Sequence, residues 1–143
     1  MPRRSPSTPP PHTKLYHHHH PQIGHVTGLT YTSPANSSTE LCHYFGGLPY
    51  ALPPIGAHRW RLPRPLPKGY RFGTKSNPGH FTGGCAQCAQ PALNAASDDT
   101  YWDEDCLQLN IWIPAGEAPK GGWPVLFWIR MCFEPLSLLL STY

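Results

Sequence analysis

The residues best suited to chemistry are five cysteines, at 42, 85, 88, 106 and 132, and nine histidines, four of them consecutive at His17–His20. Cys85-Ala-Gln-Cys88 has the spacing of half a zinc site, and His80 with Cys106 would complete four ligands around a tetrahedral ion. A full zinc signature carries a second pair at C-x2-C or H-x3–5-H spacing downstream of the first, and none follows this one in the sequence. The same C-x-x-C would be a thioredoxin-like redox motif only within a βαβ pattern, and no such pattern surrounds it. His17–His20 could hold a metal, but beside prolines, serines and threonines it reads more simply as a solvated, low-complexity stretch. Acyl transfer needs a serine activated by a positioned base, with donors aimed at the developing oxyanion. Serines such as Ser97 and Ser137 are present, but no G-x-S-x-G elbow contains them. No catalytic residue, metal or cofactor is therefore assigned.

The composition limits what could position such groups. Nineteen prolines and thirteen glycines in 143 residues favour loops and short strands over helices. Charged residues are 13%, well under the usual quarter or so. The net charge of +3 comes from scattered groups, among them Arg3, Arg4, Arg59, Arg61, Arg64, Lys68 and Arg71, which argues against nucleic-acid binding. Met1–His20 has no apolar core of a secretory leader. The most apolar stretch, Trp123–Leu140, is interrupted by Arg130, Glu134 and Pro135, and an arginine at a membrane-helix centre costs about 2.5–3.5 kcal/mol. The expectation is a chain without a membrane span, cytoplasmic by default, with reduced thiols.

Along the chain, residues 1–21 read as a disordered Pro/His-rich arm. From Gly24 the pattern changes. His25–Ser33 alternates and is rich in β-formers, Pro34–Ser38 is a turn cluster, and Leu41–Phe45 is a plausible antiparallel return strand. Asn36-Ser37-Ser38 within that turn is a glycosylation sequon, which matters only in a secreted chain; a bare surface turn is the plainer reading. Residues 46–100 are dominated by turn signals, with Gly46-Gly47, Gly83-Gly84 and later Gly121-Gly122 read as turns. So long an irregular stretch suggests a segment that packs over a larger body. Cys106–Ile113 alternates at Leu107, Leu109, Ile111 and Ile113 and ends at Pro114. Pro124–Ile129 is a continuous apolar run, as in a strand buried on both faces. Such a strand needs helices on both sides, and the sequence holds no candidates for them.

These blocks carry a resemblance. Phe45-Gly-Gly-Leu-Pro-Tyr-Ala51, Pro53-Pro54 and Arg59-Trp-Arg-Leu-Pro63 resemble the F-x-G-I-P-Y-A…P-P-x-G-x-x-R-F-x-x-P of type B carboxylesterases, the cholinesterase-like family. Cys88-Ala-Gln90 is similar to its C-P-Q. Glu104-Asp-Cys-Leu-Gln-Leu-Asn-Ile-Trp112 is nearly its E-D-C-L-Y-L-N-[IV]-W, and Pro124–Ile129 is similar to its P-V-x-V-W-I. The blocks stand in the family's order across about residues 22–129, and they closely resemble fungal-type members.

The resemblance implies an α/β fold, the α/β-hydrolase fold, of which this chain would hold the N-terminal portion. Residues 22–129 would be the opening segment of the domain and 130–143 a tail outside the family pattern. The family's H-G-G-G oxyanion loop should follow Ile129, where Arg130-Met-Cys-Phe-Glu-Pro135 stands instead. The serine elbow and the acid–histidine pair are absent too, so the chain is expected to be a truncated carboxylesterase that hydrolyses nothing alone. The resemblance also implies a disulfide between Cys88 and Cys106, although Cys85 could compete, with Cys42 and Cys132 unpaired. It implies a partly buried ion pair between Arg59 and Glu104. Other readings are an interaction isoform that binds a full-length esterase and a small zinc-binding module. Exposed apolar surface would invite aggregation or chaperones.

Overall fold

The computed structural model describes residues 10–88 and 103–129. Its body is an antiparallel sheet that grows from one long hairpin. Strand β1 (Thr13–His20) turns at Pro21–Ile23 into β2 (Gly24–Thr32), and the two pair along their whole length, from Thr13 opposite Tyr31 to His20 opposite Gly24. β2 returns through residues 33–39 into β3 (Glu40–Pro49). On the far side of β3 lies β7 (Gln108–Pro114), so the order is β1-β2-β3-β7. Two short strands, β4 (Ala51–Leu52) and β5 (Arg64–Pro65), form a separate ribbon. Among the described residues there is no α-helix, only a 3-10 turn at Gly56–His58.

β3 covers only half of β2, from Leu29 to Thr32. The other half of that edge is taken by β6 (Gly79–His80), which runs parallel to Val26 and Thr27. The chain just beyond β6 is a wedge between the two strands. Phe81 N–H donates to the Thr27 carbonyl at 2.7 Å, and Gly46 N–H donates to the Phe81 carbonyl at 2.9 Å. The wedge carries the Phe81 side chain into the core, where it meets Val26, Phe45 and Leu48. Tyr16, Phe72, Leu109 and Ile113 pack around that cluster. Phe81 and Phe72 meet edge to face, with ring centroids 5.7 Å apart.

Several expectations hold in outline. The hairpin from His25 to Phe45 forms and is longer than expected, and the alternating run at 106–113 becomes β7. Three expectations are corrected. Thr13–His20 is not part of a disordered arm. Each residue pairs with β2, Tyr16 packs on the core, and Pro21 ends the strand, so ladder bonds and one aromatic anchor offset the ordering cost. Gly46-Gly47 is not a turn but a bulge inside β3, where the register with β7 shifts. A Cβ at Gly46 would collide with the Gly83 carbonyl, and Gly47 has φ +75°, so both positions call for glycine. Finally, Pro124–Ile129 forms no strand. Val125, Leu126, Phe127, Trp128 and Ile129 are between 73% and 91% exposed, because no described strand pairs with them and no helix covers them.

Candidate functional site

The densest polar arrangement lies where residues 85–88 run beside the approach to β7. Two side chains of the alternating run, Asn110 and Gln108, hydrogen-bond to this segment. The Cys85 thiol donates to Asn110 Oδ1 at 3.0 Å, and Ala86 N–H donates to Gln108 Oε1 at 3.1 Å. Gln108 Nε2 donates in turn to the Asp105 carbonyl at 2.7 Å, fixing the carboxamide's orientation. Asp103 N–H donates to the Gln87 carbonyl at 3.2 Å. Next to these bonds, Cys88 and Cys106 form a disulfide with Cα atoms 5.1 Å apart, inside the range a bridge requires. Cys42 and Cys85 are free thiols, both half-buried, and burial raises the Cys85 thiol above its ordinary pKa. Cys132, like the tail that should replace the oxyanion loop, lies outside the described residues.

Arg59 and Glu104 form an ion pair that ties the loop after the 3-10 turn to the start of this junction. It is more open than expected: the side chains are 58% and 42% exposed, since no described element lies over them. Asp105, the neighbour of Glu104, is different. Its Oδ1 is buried and no described residue donates to it. Sequence reasoning did not single out Asn110, Gln108 or Asp105. The first two occupy the polar positions of the β7 alternation, and all three stand in the Glu104–Trp112 block of the family resemblance, which were the available signals.

The four zinc ligands suggested by spacing do not assemble. Cys88 and Cys106 are consumed in the disulfide, and among the described residues no group of three or more His, Cys, Asp or Glu side chains is placed to hold a metal. The His17–His20 run lies on β1, where alternation sends successive rings to opposite faces. His17 Nδ1 is 3.0 Å from Thr27 Oγ1, and His19 stacks on His25 with centroids 4.2 Å apart. These rings, with Lys75 and Pro78, line a groove at the turn end of the β1–β2 hairpin. Burial, and then the neighbouring His20, His19 and His43, lowers the His18 pKa below 6.5; burial, His19 and Lys75 lower that of His25.

Among the described residues, two hydroxyl–imidazole contacts come nearest to a nucleophile and base: Thr27 with His17, and Thr30 with His43 at 2.9 Å. Neither can perform acyl transfer. Thr27 is 0% and Thr30 1% exposed, so no substrate carbonyl reaches either oxygen. The Gly46-Gly47 pair does not supply an oxyanion hole either. Gly46 N–H is spent on Phe81 and Gly47 N–H on Asn110 Oδ1. The disulfide, the ion pair and the Asn110 and Gln108 hydrogen bonds of the junction hold its loops together.

Comparison with known proteins matches residues 17–131 to a family described as the carboxylesterase family. A carboxylic ester hydrolase of Gibberella moniliformis is 55% identical over 108 residues, covering 76% of this chain and 19% of that protein. An uncharacterised esterase/lipase of Schizosaccharomyces pombe is 42% identical over 115 residues, covering 77% of this chain and 20% of its own length. Among solved structures, a PNB esterase aligns with 64% of this chain and 16% of its own, at 26% identity and a TM-score of 0.40. The chain thus spans about a fifth of the length of these two relatives.

Proposed function

This chain belongs to the carboxylesterase family, and on that premise we propose that it is the non-catalytic opening scaffold of a carboxylic-ester hydrolase, inactive by itself. It carries the N-terminal portion of the family's α/β-hydrolase domain. In this reading the hairpin sheet, the Cys88–Cys106 disulfide and the Arg59–Glu104 pair hold loops in place, and the serine, acid, histidine and oxyanion donors of ester hydrolysis come from sequence that this chain does not contain.

One observation carries the proposal. The described residues bring together a disulfide, an ion pair and a hydrogen-bonded Gly47 donor at one junction, yet the two hydroxyls that meet an imidazole, on Thr27 and Thr30, are buried. A triad enzyme without its triad keeps about 10³–10⁴-fold acceleration over water, and that remainder depends on an oxyanion hole and a binding site. The test is hydrolysis of a p-nitrophenyl ester by purified 1–143. Background rates are expected; turnover that follows the protein through chromatography would overturn the reading.

For partners, the exposed run Val125–Ile129 supports association with chaperones, with a full-length esterase or with further copies of the chain. No nucleic acid is proposed. Among the described residues no helix is long and apolar enough to cross a membrane. The disulfide favours an oxidising compartment over the cytoplasm expected by default.

A further inference from the structure

The tip of the β2–β3 hairpin carries Asn36-Ser37-Ser38, the one N-x-S/T sequence of the chain with a non-proline centre. The turn is well tied. Ser33 N–H donates to the Thr39 carbonyl at 2.9 Å, Asn36 N–H to the Ser33 carbonyl at 3.2 Å, and Thr39 N–H to the Asn36 carbonyl at 2.9 Å. Ser38 N–H donates to Asn36 Oδ1 at 3.0 Å, which engages the carboxamide through its oxygen and draws residues 36 and 38 together. All residues from 34 to 40 are exposed. A branched sugar on Asn36 would displace no packed side chain.

The second observation lies at the other end of β3. Disulfides form and persist where the environment is oxidising, above all along the secretory route, and that is where sequons are used. Cys88–Cys106 and the Asn36 sequon therefore point to the same compartment, although neither depends on the other. β3 has ten residues, so at roughly 3.3 Å each the turn stands about 30 Å along the strand from the disulfide end. A glycan there would leave the Cys85–Asn110 junction clear.

We propose that Asn36 is an N-glycosylation site. The donor is an oligosaccharide linked to a polyprenyl diphosphate. Asn36 Nδ2 bonds to the anomeric carbon of the first sugar, the bond from that carbon to the diphosphate oxygen breaks, and one amide proton leaves as the diphosphate departs. The attached sugar adds a soluble mass to the hairpin tip of a chain that elsewhere exposes five consecutive apolar residues.

The test is to express the full chain behind a secretory leader in a eukaryotic host. The pooled cell extract and medium are then examined, so that retained chains are counted. A single mobility shift removed by peptide N-glycosidase is expected, with Asn36 converted to aspartate in the released peptide. Asn36→Gln and Ser38→Ala each abolish the shift, whereas Ser38→Thr keeps it; these exposed positions leave the sheet intact. Recovery of the Asn36 peptide unmodified from chains whose Cys88–Cys106 bridge has formed overturns the proposal. Persistence of the shift in Asn36→Gln overturns it equally.

Discussion

Asn110 Oδ1 accepts the N–H of Gly47 at 3.0 Å, joining residues 63 positions apart, and the same oxygen accepts the Cys85 thiol. One carboxamide thus connects the bulge of β3, the strand β7 and the segment that leads to the disulfide. Replacing Asn110 with alanine strands the Gly47 donor in a half-buried position, at a cost of about 1–3 kcal/mol. Native-state proteolysis reads this directly, because cleavage follows the population of opened chains. A variant as resistant as the parent would show that water replaces the carboxamide there.

Asn110 also shows what was legible in the sequence. The β7 alternation was plain, and it placed polar residues at Gln108 and Asn110, but nothing local said which distant donor each would meet. The hairpin and β7 were readable because period-two patterning and turn residues are local signals. β1 was missed because a run of histidines has the composition of a disordered arm; its order comes from a ladder with β2 and from Tyr16 on the core. The Gly46-Gly47 bulge was misread because glycine pairs mark turns and bulges alike, and only the approach of Gly83 decides between them. Pro124–Ile129 failed in the opposite way. Its apolar run is the signature of a buried strand, but burial needs neighbours, and the described chain supplies none.

The Cys88–Cys106 bridge closes a loop of 18 positions, which constrains the unfolded chain by about 3 kcal/mol in the loop-entropy account. Without reductant, iodoacetamide should label Cys42 and Cys85 but neither bridged cysteine. Cys85 should react more slowly than an ordinary free thiol near neutral pH, since its burial disfavours the thiolate. Peptide mapping before and after reduction checks both claims. Labelling of Cys88 in the unreduced chain would contradict the bridge.

Removing one partner of Arg59–Glu104 should change stability little. Both side chains are about half exposed, so solvent screening holds the pair below about 1 kcal/mol. Arg59→Ala and Glu104→Ala should each move proteolytic resistance slightly, and the double variant should match either single one. A much larger loss from one substitution alone would mean that another element buries the pair.

The β1 edge should loosen in mild acid. His18 and His25 have folded pKa values below 6.5, so the unfolded strand takes up protons before the folded one does. Their contribution is fully present above pH 6.5 and fades as pH falls through the folded values. Lower still, Glu40, whose pKa Lys14 depresses below 4.5 through their 2.6 Å contact, is protonated and releases Lys14. Hydrogen-exchange protection of the β1 amides, corrected for intrinsic rates, should therefore drop between pH 7.5 and pH 5.5. Protection in the β3–β7 ladder should change less. Replacing His18 and His25 by glutamine should flatten the dependence; unchanged pH sensitivity in that variant would assign the effect elsewhere.

The strongest expectation concerns self-association. Val125, Leu126, Phe127, Trp128 and Ile129 form five consecutive apolar residues, each at least 73% exposed, and β7 presents an edge with no described partner strand beyond it. Such a run combines high β-propensity with no charge and no proline, which favours pairing with any available edge. Purified 1–143 should therefore elute as a broad, concentration-dependent distribution rather than as one sharp monomer peak. Replacing Leu126 and Trp128 with lysine places two charges in that run and touches no residue of the hairpin core. The double variant should shift the distribution towards monomer, while the β-sheet signal in circular dichroism stays the same. If the parent chain is already a monodisperse monomer with a cooperative unfolding transition, this surface is covered by the chain itself and the argument fails. If the lysine variant associates as strongly as the parent, the driving surface lies elsewhere, and Trp60 and Leu62, at 101% and 89% exposure, are the next residues to change.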